Sequence, residues 1–208
     1  MDTRTFRAWI AEATRLVVDD AERLTRLDAA IGDADHGINL GRGFRAAEAM
    51  LAETDPATPA AVLATVGRAL ISKTGGASGP LYGTGFRQAA ATLGEDPDVH
   101  AVRLGAALAA ALAGIRQLGG AEPGDKTMVD ALDPAVRAYQ EAVDGGADLA
   151  AATRAAADAA RRGLAGTVPM QARKGRASYL GPRTIGHEDP GAASTVLILA
   201  ALATATAP

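Results

Sequence analysis

Leu27-Asp28-Ala29-Ala30-Ile31-Gly32-Asp33-Ala34-Asp35-His36-Gly37-Ile38-Asn39 sets three carboxylates, two glycines, a histidine and an amide between two stretches of helical pattern. The glycines let the backbone turn sharply, so the stretch reads as a loop joining two helix ends. Anions held this closely repel one another. A divalent cation such as Mg²⁺ relieves that repulsion, and Mg²⁺ held by few carboxylates commonly takes phosphate oxygens as further ligands. The plain alternative is a solvated turn with aspartate caps. The oxygen-ligand alternation of an EF-hand is missing.

Upstream, Phe6, Trp9, Ile10, Ala13, Leu16, Val17, Leu24 and Leu27 recur at helical spacing, which predicts one helix ending at the acidic loop. Downstream, a second helix is expected from Asn39, with Asn39 as a possible cap. Further helices are expected over about 60–73, 81–93, 99–118, 126–143 (capped by Asp125), 148–164 and from Ala192. Period-two alternation is absent, so the expected fold is all-α: about eight helices in an antiparallel up-and-down barrel or bundle, as one domain over residues 1–208.

In such a bundle, alternate loops lie at the same end. The loops after the first, third, fifth and seventh helices are the unusual ones: the acidic stretch, Thr74-Gly75-Gly76-Ala77-Ser78-Gly79-Pro80, Gly119-Gly120-Ala121-Glu122-Pro123-Gly124-Asp125, and the long segment from Thr167 to Gly191. The others, near Asp55, Asp96 and Gly145, are ordinary breaks. One end of the bundle is therefore expected to be a site. The second loop precedes a helix, where small residues and backbone amides suit phosphate. Arg173, Lys174 and Arg176 flank Gly175 as further anion contacts or as a solvated basic turn. P-loop and Rossmann fingerprints are absent.

Of the 208 residues, 48% are hydrophobic and the formal net charge is −3. There is no polybasic tract, so neither nucleic acid nor a membrane surface is expected as a partner. The chain has no cysteine, which excludes disulfides and zinc–thiolate sites and fits a cytoplasmic location. No signal-peptide pattern opens the chain. The uncharged run from Ala192 to Pro208 reads as a buried core helix.

Ile31-Gly32-Asp33-Ala34-Asp35-His36-Gly37, Gly76-Ala77-Ser78-Gly79-Pro80-Leu81-Tyr82-Gly83-Thr84, Pro123-Gly124-Asp125-Lys126-Thr127-Met128, Lys174-Gly175-Arg176-Ala177-Ser178-Tyr179-Leu180-Gly181 and His187-Glu188-Asp189-Pro190-Gly191 together resemble the nucleotide-binding L subunit of dihydroxyacetone kinase. The resemblance implies a barrel of eight antiparallel helices with the nucleotide at one end. It implies two Mg²⁺ ions on Asp28, Asp33 and Asp35. It implies nucleotide contacts at His36, Gly37, Ile38, Asn39, Ala77, Ser78, Gly119, Met128, Arg176, Asp189, Pro190 and Gly191, with Met128 on the adenine. The catalytic group would be the three aspartates and Arg176.

The implied activity is phosphoryl transfer from ATP to a short-chain hydroxyketone held on a separate K subunit, in glycerol metabolism. In the phosphotransferase-system branch, a phosphohistidine on an M subunit recharges tightly bound ADP. A homodimer and a transcription regulator are further partners compatible with the resemblance. The alternatives are an L subunit of an ATP-exchanging kinase for a related triose or tetrose, and a non-catalytic nucleotide-binding regulatory module. Gly85 is smaller than the resemblance leads one to expect.

Overall fold

A computed structural model describes residues Met1–Pro208. It contains no strand, nine α-helices and one 3₁₀ helix. The α-helices are α1 (Thr3–Asp19), α2 (Ala21–Ile31), α3 (His36–Thr54), α4 (Pro59–Lys73), α5 (Ser78–Leu93), α6 (Ala101–Gly119), α7 (Val129–Asp144), α8 (Leu149–Gly166) and α9 (Pro190–Ala205); the 3₁₀ run is Arg176–Thr184. From α3 to α9 each helix packs on the next, and α1 packs on both α3 and α9, which closes a ring. α2 continues in the gap between α3 and α9. Short connections between neighbours make the ring up-and-down.

Local chemistry sets most boundaries. Asp2, Thr58, Asp148 and Asp189 each accept a backbone N–H of the first turn of α1, α4, α8 and α9, and prolines follow Thr58 and Asp189 at the first helical position. At the end with the plain loops, Met1 bonds Asp98 and the carbonyl of Val99, Thr3 Oγ1 donates to the carbonyl of Ala57, and Arg7 pairs with Asp55. The plain loops near Asp55 and Asp96 thus gather around the N-terminus.

Four expectations need correction. The first helix is two: the chain breaks at Asp20. Asp19 and Asp20 oppose the dipole at the C-terminus of α1, whereas the same charge is favourable at the start of α2, where Arg23 Nε holds the Asp20 carboxylate at 2.9 Å. α2 then runs to Ile31, so Asp28 lies in its last turn rather than in a loop. α3 begins at His36, so Asn39 is inside the helix and does not cap it. Asp125 does not cap α7; its carboxylate accepts from Glu122 N, and α7 starts at Val129.

The core is alanine- and leucine-rich, with its few aromatics in a row: Phe6–Trp9, Trp9–Phe86 and Phe86–Phe44 have centroids 6.0, 5.7 and 6.4 Å apart. α9 is buried on nearly every side, from Ala192 through Leu202, which explains its uniformly apolar sequence. α6 is the one helix long and apolar enough to cross a membrane by composition; its Leu104, Ala107, Leu108, Leu112 and Ile115 face is committed to the core.

Candidate functional site

The acidic turn is built by Asp28 reaching across it. Its Oδ2 accepts the backbone N–H groups of Asp35 (2.8 Å) and His36 (3.1 Å). It therefore caps α3 from the end of α2, and the residue at the N-cap position, Asp35, makes no cap bond of its own. Gly32 makes room for this carboxylate: a Cβ there would fall 2.0 Å from Asp28 Oδ1 and displace it. The turn leaves one oxygen each of Asp28, Asp33 and Asp35 within 4.8 Å of one another. This all-oxygen, three-carboxylate set has the chemistry of a Mg²⁺ site, and the donors suit no softer metal. Arg176 Nε pairs with Asp33 Oδ2 at 2.6 Å, so a cation already sits beside the cluster.

A cleft of about 490 Å³ opens over these carboxylates. Its walls come from the four connections after α2, α4, α6 and α8: Asp28 to His36, Gly76 to Leu81, Gly119 to Val129, and Lys174 to Ala177 with Asp189 to Gly191. The loop parity seen in the sequence is thus realised in space. The N-terminus of α5 at Ala77–Ser78 has no side-chain cap and lines the cleft, leaving amide donors for an anion. Leu81, Leu118, Ala121 and Met128 add apolar surface. Gly191 lies against Met128, and Gly119 against Leu81.

Among the residues singled out from sequence, Asp28, Asp33, Asp35, His36, Ala77, Ser78, Gly119, Met128, Arg176, Asp189, Pro190 and Gly191 all line this cleft. Gly37, Ile38 and Asn39 do not. Gly37 lies against the backbone of Ala21, where a Cβ would be 2.0 Å from the carbonyl oxygen. Ile38 points outward, 61% exposed. Asn39 is buried under Gly75 and accepts a hydrogen bond from Arg42.

Other contributors carry little sequence signal. His36 Nε2 and Ser194 Oγ are 2.9 Å apart, and Ser194 continues to the Tyr82 hydroxyl, which also meets Thr195 and donates to the carbonyl of Gly191. Burial holds the His36 pKa below its ordinary value against the pull of Asp28 and Asp35. Lys126 is buried beside Thr127 and Met128 and lines the cleft; desolvation pushes its pKa down, opposed by Asp189. A lysine reads as surface by default, which hides it in the sequence.

Asp189 is raised to about 7, first by burial and then by the charge of Asp130, while its bond from Ala192 N and Lys126 pull it back. A carboxyl that binds its proton more tightly when folded withdraws stability as pH rises from its ordinary range near 4 towards 7, with no further loss above. Asp189→Asn keeps a good cap acceptor without the charge. Its melting temperature relative to the parent is therefore expected to climb between pH 4 and 7 and level off above. A gap constant across that range in thermal melts would contradict this.

The DAK2 domain family model matches residues 30–204. The chain belongs to the DAK2 domain family. Within it, the chain is 39% identical to the ADP-binding subunit DhaL of the PEP-dependent dihydroxyacetone kinase of Escherichia coli, over 95% of this chain and 94% of that one. It is 39% identical to the ADP-binding subunit DhaL of PEP-dependent dihydroxyacetone kinase 1 of Listeria innocua, over 93% and 92%. The crystal structure of the C. freundii dihydroxyacetone kinase in complex with AMP-PNP and Mg²⁺ superposes with a TM-score of 0.72 at 27% identity, covering 98% of this chain and 34% of the crystallised one. This DAK2 domain thus spans about a third of that kinase and nearly the full length of the DhaL subunits.

Proposed function

We propose that the chain is the ADP/ATP-binding subunit of a kinase for dihydroxyacetone or a related short-chain hydroxyketone. The observation that carries this reading is the convergence of Asp28, Asp33 and Asp35 within 4.8 Å in a cleft that also holds the uncapped start of α5. The names of the DhaL relatives and the AMP-PNP and Mg²⁺ of the C. freundii complex support it.

In this reading Asp28, Asp33 and Asp35 hold two Mg²⁺ ions. When bound, the ions supply charge neutralisation on the β- and γ-phosphates. The protein's own groups do the rest. Ala77 and Ser78 offer amides to phosphate oxygens. Arg176 exchanges its partner Asp33 for phosphate. Neutral His36, fixed by Ser194, presents its remaining ring nitrogen to the ligand. Gly119, Met128 and the Asp189–Gly191 turn enclose the base, Met128 packing on adenine through its soft side chain. Gly37 and Asn39 act indirectly, by seating α3 and the Gly75 turn.

The ketone would be held by a separate K subunit, and the PEP-dependent relatives favour recharging of ADP in place by a phosphohistidine M subunit. Alone, the chain is expected to bind nucleotide and leave the ketone unphosphorylated. The test is to purify it, denature it and identify what is released. Stoichiometric ADP surviving gel filtration supports a resident cofactor. Empty protein with weak, exchanging ATP points instead to an ATP-exchanging kinase, and protein that binds neither nucleotide with Mg²⁺ rules the proposal out.

A further inference from the structure

One ammonium group holds four backbone carbonyls. Lys126 Nζ donates to Thr167 O (2.9 Å), Met170 O (3.0 Å), Thr184 O (2.7 Å) and His187 O (2.6 Å), and the residue is 1% exposed. Every hydrogen bond it makes goes to main chain. An ammonium has three N–H groups, so one is shared. Such a ring of carbonyls is the environment that replaces the hydration shell of a small cation. Without a cation, the four oxygens would converge with only Thr167 O keeping another donor, Met170 N.

The origin of those carbonyls gives the cage its meaning. Thr167 and Met170 open the long connection from α8 to α9, while Thr184 and His187 close it. Between them lie Lys174–Ala177, and directly after them Asp189–Gly191; both segments line the cleft. The connection has no α-helix of its own. Several of its other bonds are internal, such as Gly186 N to Val168 O and Ala172 N to Thr184 Oγ1. Lys126 and the Arg173 N to Asp125 O bond tie it to the loop before α7. Lys126 itself takes a left-handed φ of 62°, uncommon for a side-chain-bearing residue, and Thr127 and Met128 follow it into the cleft wall.

We propose that Lys126 is a positioning residue for the nucleotide: its ammonium gathers both ends of the connection and so fixes Arg176 and the Asp189–Gly191 turn relative to Met128. This rests on the nucleotide reading above. The test is Lys126→Ala in the full chain, because propylammonium replaces the four heavy atoms removed and can enter from the cleft. ADP affinity at saturating Mg²⁺ is expected to fall about tenfold or more. Propylammonium should restore it saturably, with no effect on the parent. Tetramethylammonium, a cation without N–H donors, should not restore it at equal ionic strength. Folding of the variant only in propylammonium supports the same conclusion. Parent-like ADP affinity, a loss that propylammonium does not repair, or failure to fold in either condition overturns it. If the parent chain itself does not bind ADP, the nucleotide reading fails; amide exchange across residues 172–187, slowed by propylammonium in the variant, then decides whether the ammonium orders this wall.

Discussion

Asp33→Ala is expected to abolish Mg²⁺-dependent retention of ADP while leaving the helical content unchanged. Asp33, unlike Asp28, separates ligand chemistry from scaffold when it is removed. Its contact in the protein is the ion pair with Arg176, and both side chains are substantially exposed. An exposed pair contributes little to stability. As a metal ligand the same carboxylate is worth far more: loss of even an outer-shell partner costs metal sites about 10- to 100-fold in affinity, so loss of a direct ligand should exceed that. Equilibrium dialysis with Mg²⁺ and ADP, set beside far-UV circular dichroism, measures both halves. A variant that retains ADP at parental strength would sink the metal assignment. Asp28→Ala provides the contrast. Because Asp28 Oδ2 also caps α3, that change should weaken ligand binding and cost about 0.5–2 kcal/mol of stability.

Gly37→Ala should damage the fold and the site together. The added methyl carbon would stand 2.0 Å from the carbonyl oxygen of Ala21 and 2.7 Å from Thr25 Oγ1. Backbone cannot swing aside as a flexible side chain can, so α3 must move off α2. Overpacking of this kind costs about 1–3 kcal/mol, occasionally more. For a chain of this size each kcal/mol lowers the melting temperature by roughly 2–4 °C. The displacement falls one residue from His36 and two from Asp35, so Mg²⁺-dependent ADP affinity should fall in the same variant. Thermal melts and ADP titration check the two effects. A variant with unchanged melting temperature would show that α2 and α3 are not in this contact, and unchanged affinity with a lowered melt would uncouple the seat of α3 from the site.

How much of this was legible in the residues depends on the kind of signal. Apolar spacing exposed the helix faces because burial is what selects those residues, and loop parity then followed from short connections. The break at Asp20 was invisible because apolar positions continue in phase from Leu16 and Val17 to Leu24; only the charges of Asp19 and Asp20 interrupt the helix. The extent of α2 was missed because Asp28 looks like a turn residue, while in the structure it serves α3 from the preceding helix. Lys126 and the His36–Ser194 contact were missed for a different reason. Ser194 lies 158 positions from His36, and no local pattern announces a partner so remote. Of the residues singled out from sequence, those that line the cleft do so by side chain or open helix end, whereas Gly37 and Asn39, next to them in sequence, face other elements and Ile38 faces outward.

The ring closes between its first and last helices, and that ordering constrains how the protein comes into being. α9 leaves the ribosome after the other eight helices, and the Asp189–Gly191 turn and Ser194 arrive with it. Until then the seam between α1 and α8 stands open and the cleft lacks a wall. Contacts spanning almost the whole chain are also slow to form. The seam carries its own reporter: Trp9 is the sole tryptophan, and its indole N–H donates to Ile198 O across the α1–α9 contact at 2.9 Å. Intrinsic fluorescence therefore follows the sealing of the barrel, separately from the far-UV signal of helices that form before it.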